Sequence, residues 1–264
     1  MTQGPLLLTT AVEAVVRAGD IMMARFGHTV GVSKKGTIDL VTDVDIEIER
    51  GFRALIAERF PDHAVLGEEF GGAREPPAGP CWVFDPIDGT TNFAHGVPIF
   101  CASLALEIDG RAEIAAVYDP NRRELFTAER GRGAQLNGRP IRVSNAASLV
   151  DALLVTGFPY DVHDRVDEIV GLFGAFVGRA RAVRRLGSAA IDLCYVAAGR
   201  LDGFWESDLK PWDMAGGALL VTEAGGQVTT MVGSTFSSRS REVLATNAHL
   251  HAEMLGVIAK FRGA

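Results

Sequence analysis

This 264-residue sequence lacks any stretch close to the roughly 20 uninterrupted apolar residues that a membrane-spanning helix needs. Its N-terminal apolar run, PLLLTTAVEAVV, is short, has no preceding basic region and is interrupted by Glu13. Such a run is typical of an amphipathic helix and not of a signal peptide. The sequence also has no internal repeat, low-complexity tract or flexible linker. We therefore expect a compact protein that does not associate with a membrane.

Basic residues and cysteine are both scarce. The chain has 26 Lys and Arg residues against 33 Asp and Glu, which gives a formal net charge of −7 at pH 7. Because acids and bases are mixed along the chain, this balance argues against a nucleic-acid partner, although local basic pockets stay possible. The cysteines Cys81, Cys101 and Cys194 are odd in number and form no CxxC motif. They predict buried free thiols in the reducing cytoplasm.

The length and a hydrophobic content of 47% suit one catalytic unit over 1–264, with two closely packed halves, 1–145 and 146–264. The first half is rich in strand patterns, and Asp109-Gly110 joins two alternating runs into the clearest β-hairpin. The second half alternates helices and strands, so we expect an α/β fold with two layered subdomains. Helices are predicted at 11–26, 43–60, 166–178, 188–198, 213–223 and 248–261, and strands at 64–66, at 81–85 and near Leu153, Ala182, Gly203, Gln227 and Val243.

The segment VFDPIDGTTNF places two aspartates, Asp85 and Asp88, three residues apart at the end of a hydrophobic strand. In open α/β folds, ligands bind outside the carboxyl ends of the strands. Gly89 allows a ligand to approach the backbone closely, and Thr90 and Thr91 could receive an anion at the start of a helix. Taken alone, the segment is explained equally well by an Asp-Gly turn followed by a helix cap.

Further carboxylates occur at the ends of other predicted elements: Glu68 and Glu69 in VLGEEF, Asp213 in KPWDMAGG, and Asp39, Asp43 and Asp45 in DLVTDVD. Asp213 could cap its helix or project from the helix start toward a ligand. Carboxylates that are held close together cannot all stay ionised without a counter-charge. A hard divalent cation supplies that charge, and all-oxygen ligands favour Mg²⁺ over zinc.

Five segments, in this order and spacing, resemble the inositol monophosphatase family of metal-dependent, lithium-sensitive sugar-phosphate phosphatases. They are DLVTDVD, GEE, DPIDGTTNF, GSAAIDLCYVAAGRLDGFWE and WDMAGG, and with the N-terminal helix they cover nearly the whole chain. The resemblance implies a layered α-β-α-β-α sandwich, a homodimer, and hydrolysis of a small phosphate monoester with two or three Mg²⁺ ions per active site.

The resemblance also implies roles for individual residues. The implied metal ligands are Glu68, Asp85, the backbone carbonyl of Ile87, Asp88 and Asp213. Asp85 would bridge two ions, an arrangement that stabilises both the attacking and the leaving oxygen of an in-line phosphoryl transfer. The nucleophile would be a metal-activated water, and no Cys or His is placed to form a covalent intermediate. Either Glu68, or Thr90 paired with Asp45, would act as the base, and the sequence leaves that choice open.

Substrate contacts are implied in the same way, at Asp88, Gly89, Thr90, Thr91, Gly187, Ser188, Ala189, Glu206 and Asp213. Glu206 would accept hydrogen bonds from ring hydroxyls of the substrate. Lys34 matches a basic residue near the metal site, but a solvated loop lysine is an equally good interpretation. For Arg184 and Arg185, exposure to solvent is favoured over contact with a phosphate or a dimer partner. His249 and His251 are both predicted to be solvated.

The ending Thr91-Asn92-Phe93 favours inositol 1-phosphate as the substrate. Relatives that act on histidinol phosphate or nucleotide 3′-phosphates more often have lysine after DGT, and fructose-bisphosphatase relatives often replace the threonine pair. Those phosphate esters are the alternatives within the phosphatase class. A regulatory family member that binds another protein is an alternative of a different class. The complete set of metal carboxylates favours the enzyme, because a pseudoenzyme should have lost one or more of them.

Overall fold

The structure, a computed structural model, describes residues 4–28, 31–34, 40–72 and 78–263. Within these ranges the elements form five layers in the order helix, sheet, helix, sheet, helix. This arrangement confirms the α-β-α-β-α sandwich predicted from the sequence. The helices are α1 (Gly4–Arg25), α2 (Asp43–Arg59), α3 (Thr90–Ala94), α4 (Val166–Val177), α5 (Ala189–Ala197), α6 (Pro211–Glu223) and α7 (His251–Arg262), with 3₁₀ turns at Leu149–Asp151 and Val162–Asp164.

The first half of the chain supplies a short two-stranded ribbon and the larger sheet. The ribbon pairs β1 (Val32–Lys34) with β2 (Leu40–Thr42). The larger sheet contains, in spatial order, β3 (Ala64–Gly67), β4 (Pro80–Asp88), β5 (Cys101–Ile108), β6 (Arg111–Asp119), β7 (Glu124–Glu129), β8 (Ala134–Leu136) and β9 (Arg139–Pro140). Only the β3–β4 pair is parallel among these strands. Asp109 and Gly110 both have positive φ, 51° and 75°, as the predicted two-residue hairpin turn between β5 and β6 requires.

The second half forms the smaller sheet, which contains every strand predicted there. Its strands are β10 (Leu153–Thr156), β11 (Ala182–Arg184), β12 (Gly203–Ser207), β13 (Gln227–Thr229) and β14 (Glu242–Thr246). They lie in the order β11-β10-β12-β14-β13, with β10 parallel to both of its neighbours. Helices α4 and α5 occur in the parallel crossovers, which places the start of α5 beside the ends of the strands that precede it.

Separate apolar cores lie on the outer faces of the two sheets, and one core surrounds the middle layer of helices. Helices α1 and α2 cover the outer face of the larger sheet, where the rings of Phe52 and Phe84 lie 4.3 Å apart. Helices α4 and α7 cover the smaller sheet, where Phe176 and Trp205 lie 4.1 Å apart. Helices α5 and α6 fill the space between the sheets and are apolar around most of their circumference because both sides are buried. The middle layer therefore fixes how the two sheets meet.

Two helix starts, those of α1 and α7, differ from the prediction by three residues or more. Helix α1 begins at Gly4 and not at residue 11, because Leu7 and Leu8 pack against the same core as the rest of the helix. Helix α7 begins at His251, three residues later than predicted, and His251 itself is buried. Its ring nitrogens lie 2.9 Å and 3.0 Å from the hydroxyls of Thr229 and Thr246. The predicted solvation of His251 is therefore wrong, because these hydroxyls replace water.

The start of α2 is set by a capping box. The Thr42 hydroxyl accepts hydrogen bonds from the backbone N–H groups of Val44 and Asp45, while the Thr42 N–H donates to Asp45 Oδ2 at 2.8 Å. Asp39, predicted nearby, lies outside the described residues. All three cysteines are buried and free, as predicted. Nowhere in the described part of the chain is a helix both long and apolar enough to cross a membrane.

Candidate active site

Asp85 and Asp88 point into the same space because β4 contains a bulge between them. In a regular strand, residues three positions apart face opposite sides of the sheet. Here Asp85 pairs with Ser103 and Asp88 pairs with Cys101, so three steps along β4 match two steps along β5. The extra residue reverses the alternation of the side chains. Pro86 lies within the irregular segment, where its missing N–H breaks no ladder hydrogen bond.

A third carboxylate completes this acidic cluster. One oxygen from each of Asp85, Asp88 and Asp213 lies within 4.8 Å of the others. Asp213 is in the first turn of α6, where it accepts a hydrogen bond of 2.7 Å from the Lys210 N–H. Asp88 Oδ2 accepts hydrogen bonds from the Ser188 hydroxyl at 2.5 Å and from the N–H of Ala190 at 2.7 Å. The cluster therefore joins the larger sheet to both helices of the middle layer.

The electrostatics of the cluster are those of a cation site. Burial is the main cause that raises the pKa of Asp85, Asp88 and Asp213. Repulsion from other carboxylates adds to it at Asp85 and Asp213, whereas the hydrogen bond from Ser188 partly offsets it at Asp88. Mg²⁺ binds oxygens at about 2.1 Å in octahedral geometry, so oxygens that share the ion lie about 3–4 Å apart. The spacing and the oxygen-only donors of this cluster fit such an ion.

Glu68 approaches the cluster from the turn after β3. It is half-buried, and its backbone N–H donates to the carbonyl of Phe84 at 3.3 Å. Among the neighbouring carboxylates, Glu68 contributes most to the raised pKa of Asp85. The structure thus brings Glu68 into electrostatic contact with Asp85, the residue predicted to bridge two ions.

The Thr90 hydroxyl lies between two possible acceptors. It is 2.9 Å from the backbone carbonyl of Ile87 and 3.4 Å from Asp45 Oδ1. Because a hydroxyl donates only one proton, the shorter hydrogen bond to Ile87 is favoured. The other oxygen of Asp45 accepts from the hydroxyl of Thr42 at 2.5 Å. Asp45 is therefore held beside Thr90 by the cap of α2.

A cavity of about 430 Å³ opens over the acidic cluster. Gly89 has a φ of 98°, and a Cβ there would lie 2.9 Å from the Ile99 carbonyl and 3.2 Å from the Gly187 carbonyl. A side chain would thus push the Gly187 loop away. Asn92 fastens the same loop through a hydrogen bond of 2.9 Å to the Leu186 carbonyl. The predicted site residues that line the cavity are Glu68, Asp85, Ile87, Asp88, Gly89, Thr90, Thr91, Gly187, Ser188, Ala189, Glu206 and Asp213.

Glu206 reaches the cavity from β12 and is almost fully buried. Burial raises its pKa to about 8, with Arg185 opposing the change and Asp88 adding to it. Gly157, which directly follows β10, lies close to Glu206. A Cβ at position 157 would lie 1.9 Å from Glu206 Oε2. The space for the Glu206 carboxyl therefore depends on the absence of a side chain at position 157.

Several residues of the cavity lining are not among the predicted site residues. Arg185 is exposed, as predicted, and it also lines the cavity, where its guanidinium lies 5.4 Å from the centre of the Phe158 ring. Phe158 lies far from Arg185 in the sequence, so no local pattern predicts this contact. The cavity lining also includes Phe158, Tyr160, Asp192 and Lys210, which were not among the predicted site residues.

Asp192 carries the clearest sequence signal among the missed residues. It follows Ser188 by four positions, which places both residues on one face of α5. By contrast, Arg184 and Lys34 are exposed and are not part of the cavity lining. Asp43 is also exposed, at the start of α2, and forms an ion pair of 3.8 Å with Arg25.

The chain resembles known proteins over nearly its whole length. The sequence model of the inositol monophosphatase family matches residues 6–262. The chain is 45% identical to the Nus factor SuhB of Pseudomonas aeruginosa, covering 96% of this chain and 95% of that protein. It is 44% identical to inositol-1-monophosphatase of Synechocystis, covering 96% and 88%. The solved inositol monophosphatase of Anabaena superposes with a TM-score of 0.89 at 37% identity, covering 98% and 97% of the two chains.

Proposed function

Because the chain belongs to the inositol monophosphatase family, a family of phosphatases, we propose that it hydrolyses inositol 1-phosphate to inositol and phosphate in a Mg²⁺-dependent reaction. The observation that carries this proposal is the convergence of Asp85, Asp88 and Asp213 within 4.8 Å. The cavity over these carboxylates also contains Glu206, a group able to select hydroxylated substrates. The chemistry and the selectivity are thus assigned to two different parts of one cavity.

The residues that would hold Mg²⁺ are Glu68, Asp85, Asp88, Asp213 and the carbonyl of Ile87, for two or three ions. When bound, the ions neutralise the carboxylates, activate a water for attack and stabilise charge on the leaving oxygen. The raised pKa values of Asp85, Asp88 and Asp213 support this assignment, since the buried cluster lacks compensating charge of its own.

The protein's own groups have separate tasks. Glu68 orients the attacking water and accepts its proton, and Thr90 with Asp45 is the second candidate for this role. The segment from Gly89 to Thr91 receives the phosphate through its backbone and hydroxyls. Glu206 accepts hydrogen bonds from ring hydroxyls of the substrate. The family resemblance further supports a homodimer, while the net charge of −7 and the free cysteines are the grounds for placing it in the cytoplasm without a nucleic-acid partner.

A second candidate function is regulatory. It is favoured by the relative from Pseudomonas aeruginosa, which is 45% identical to this chain and is named a Nus factor. In this proposal the chain binds another protein in addition to its catalytic role. A pull-down with the inactive Asp85→Asn variant tests it, because a regulatory interaction should persist when hydrolysis is lost.

The experiment for the main proposal is a panel of phosphate monoesters ranked by kcat/KM in the presence of Mg²⁺. The panel contains inositol 1-phosphate, histidinol phosphate, fructose 1,6-bisphosphate, a nucleoside 3′-phosphate and phenyl phosphate. We expect inositol 1-phosphate to rank first, excess chelator to abolish hydrolysis, and lithium to inhibit it. Full activity in chelator would contradict the mechanism, and a higher rank for another ester would contradict the substrate.

A further inference from the structure

The carboxyl group of Asp192 is buried but takes no part in the hydrogen bonding of the described residues. Only 1% of the residue is exposed, and among the residues that the structure describes neither of its carboxyl oxygens has a hydrogen-bond partner. Burying a polar group without such partners is costly, and the cost is larger for a charged group. The side chain nevertheless borders the cavity of about 430 Å³ described above. A group of this kind is expected where a ligand supplies the missing partners.

The surroundings of Asp192 indicate which ligand groups fit. Burial raises the pKa of Asp192, and the nearby carboxyls of Glu206 and Asp88 raise it further, in that order. The positive charge of Arg185 acts on both Asp192 and Glu206 in the opposite direction. This guanidinium disfavours a second cation beside the two carboxyls, including the ammonium group of a substrate. Neutral hydroxyls, which can donate to a carboxylate and accept from a protonated carboxyl, match the pair better.

We propose that Asp192 and Glu206 form one two-carboxyl subsite of the cavity, which binds neighbouring hydroxyls of a polyol phosphate. Asp192 is then a specificity-determining residue that accepts a hydrogen bond from a ring hydroxyl. It lies in α5, on the helix whose first residues also bind the Asp88 carboxylate, so the subsite is coupled by a rigid element to the acidic cluster. The inference rests on the proposed phosphatase function and deepens it, because it adds Asp192 to the residues that select the alcohol that is released.

Asp192→Asn tests the subsite, because it keeps the shape of the side chain but weakens its acceptance of hydrogen bonds. At alkaline pH, where the Asp192 carboxyl is ionised, a hydrogen bond to it is strong enough that kcat/KM for inositol 1-phosphate should fall about tenfold or more in the variant. Phenyl phosphate, which has no ring hydroxyls, should change less than about twofold. Equal losses on both esters, or no loss on either, would overturn the inference. A selective loss on histidinol phosphate would also overturn it, because the pair would then recognise an ammonium group.

Asp202→Asn is the matched control, because Asp202 is also a buried aspartate but has hydrogen-bond partners in the fold. It accepts from the Ser144 hydroxyl, and it accepts from the Leu153 N–H at 2.6 Å. We expect Asp202→Asn to lower Tm without changing the ratio of the two kcat/KM values. Asp192→Asn should leave the Tm of the metal-free protein unchanged or raise it, because the buried carboxyl accepts no hydrogen bond from any of the described residues. A lower Tm in Asp192→Asn would indicate a structural role and contradict the inference.

A binding measurement separates failure of this inference from failure of the proposed function. Saturation-transfer NMR with free myo-inositol, and with cyclohexanol as the non-polyol control, reports on the subsite without any hydrolysis. We expect transfer to myo-inositol in the wild type and in Asp202→Asn, and a strong reduction in Asp192→Asn. If the wild type hydrolyses no ester, the proposed function fails and this measurement alone decides on the subsite. Absence of transfer to myo-inositol in such a protein would overturn the subsite as well.

Discussion

The Glu49 carboxylate accepts a hydrogen bond of 2.7 Å from the backbone N–H of Glu69, and another of 3.2 Å from that of Phe70. Glu49 is fully buried in α2 and forms an ion pair of 2.8 Å with Arg53 in the following turn of the helix. The turn that carries Glu68 is therefore fastened to α2 by a charged group with three partners. Such support for a ligand residue commonly determines how well the ligand is placed.

Glu49→Gln should weaken this support. Glutamine has only one acceptor oxygen, and its NH₂ group cannot accept from a backbone N–H. We expect the Mg²⁺ concentration for half-maximal activity to rise about tenfold, since supporting residues typically change metal affinity by that factor or more. The rise of Tm on addition of Mg²⁺ should need correspondingly more of the ion. Glu47→Gln, an exposed position on the same helix, is the control. A lower kcat at saturating Mg²⁺ with an unchanged Mg²⁺ requirement would be incompatible with this role.

Stability without metal should depend on pH in a direction that the acidic cluster determines. Burial raises the pKa of Asp85, Asp88 and Asp213 in the folded protein, so the folded state binds more protons than the unfolded chain. The stability that these groups contribute is present in acid and is lost as pH rises through their folded pKa values. Glu206 extends this loss of stability to higher pH, since the pKa of its carboxyl in the folded protein is about 8. We expect the Tm of chelator-treated protein to fall between about pH 5 and pH 8.

Addition of Mg²⁺ provides the complementary measurement. The ion competes with protons for the same carboxylates, so it should raise Tm more at pH 8 than at pH 5. Asp85→Asn should flatten the pH dependence of the metal-free protein because it removes one of the repelling groups. A metal-free wild type that is as stable at pH 8 as at pH 5 would mean that the cluster is not electrostatically strained.

Asp85→Asn should damage catalysis far more than folding. Asp85 experiences repulsion from four carboxylates, those of Glu68, Asp88, Asp213 and Asp45. We expect kcat to fall at least about a thousandfold, as when a main electrostatic element of an active site is removed. The Tm of the metal-free variant should be unchanged or higher, because a repelled charge is lost. A folded variant that binds Mg²⁺ with near-normal turnover would show that Asp85 is not a bridging ligand.

The acidic cluster and the layered fold could be predicted because short segments of the sequence indicate them. Alternating hydrophobicity, turn dipeptides and family motifs lie within short segments, and they identified Asp85, Asp88 and Asp213. The bulge that turns Asp85 and Asp88 to the same side could not be read in this way. The predicted strand ended at residue 85, whereas β4 continues to Asp88 because its pairing with β5 resumes after the bulge.

Other features depend on contacts between distant parts of the chain. His251 is buried because two threonine hydroxyls, from β13 and β14, reach its ring. Arg185 enters the cavity because Phe158 packs beneath its guanidinium. Asp192 differs from an ordinary helix residue only in having no hydrogen-bond partner in the described fold, which a sequence cannot show. At His251 and Asp192, which are buried, such tertiary contacts override the local preference for solvent, whereas Arg185 stays exposed at the rim of the cavity.

Glu206→Gln separates substrate selection from chemistry. Gln keeps the shape of the side chain but weakens acceptance of hydrogen bonds from hydroxyls. Above about pH 8, where Glu206 is ionised, the loss of a charge-assisted hydrogen bond should reduce kcat/KM for inositol 1-phosphate by about tenfold to a hundredfold. Phenyl phosphate should change little, because Glu206 is not part of the Asp85–Asp88–Asp213 cluster. Equal losses on both esters would place Glu206 in the catalytic or structural set, and no response on either would exclude a role in recognition.

Gly157→Ala tests the same role while keeping the Glu206 charge. Its Cβ would lie 1.9 Å from Glu206 Oε2, so the carboxyl must move, although Gly157 itself does not line the cavity. We expect the selective loss on inositol 1-phosphate to recur, with phenyl phosphate again spared. The double variant should lose little more than Glu206→Gln alone, because both changes remove one interaction and residues in contact are not additive. Fully additive losses would mean that Gly157→Ala acts elsewhere, and the placement of Glu206 would then not depend on Gly157.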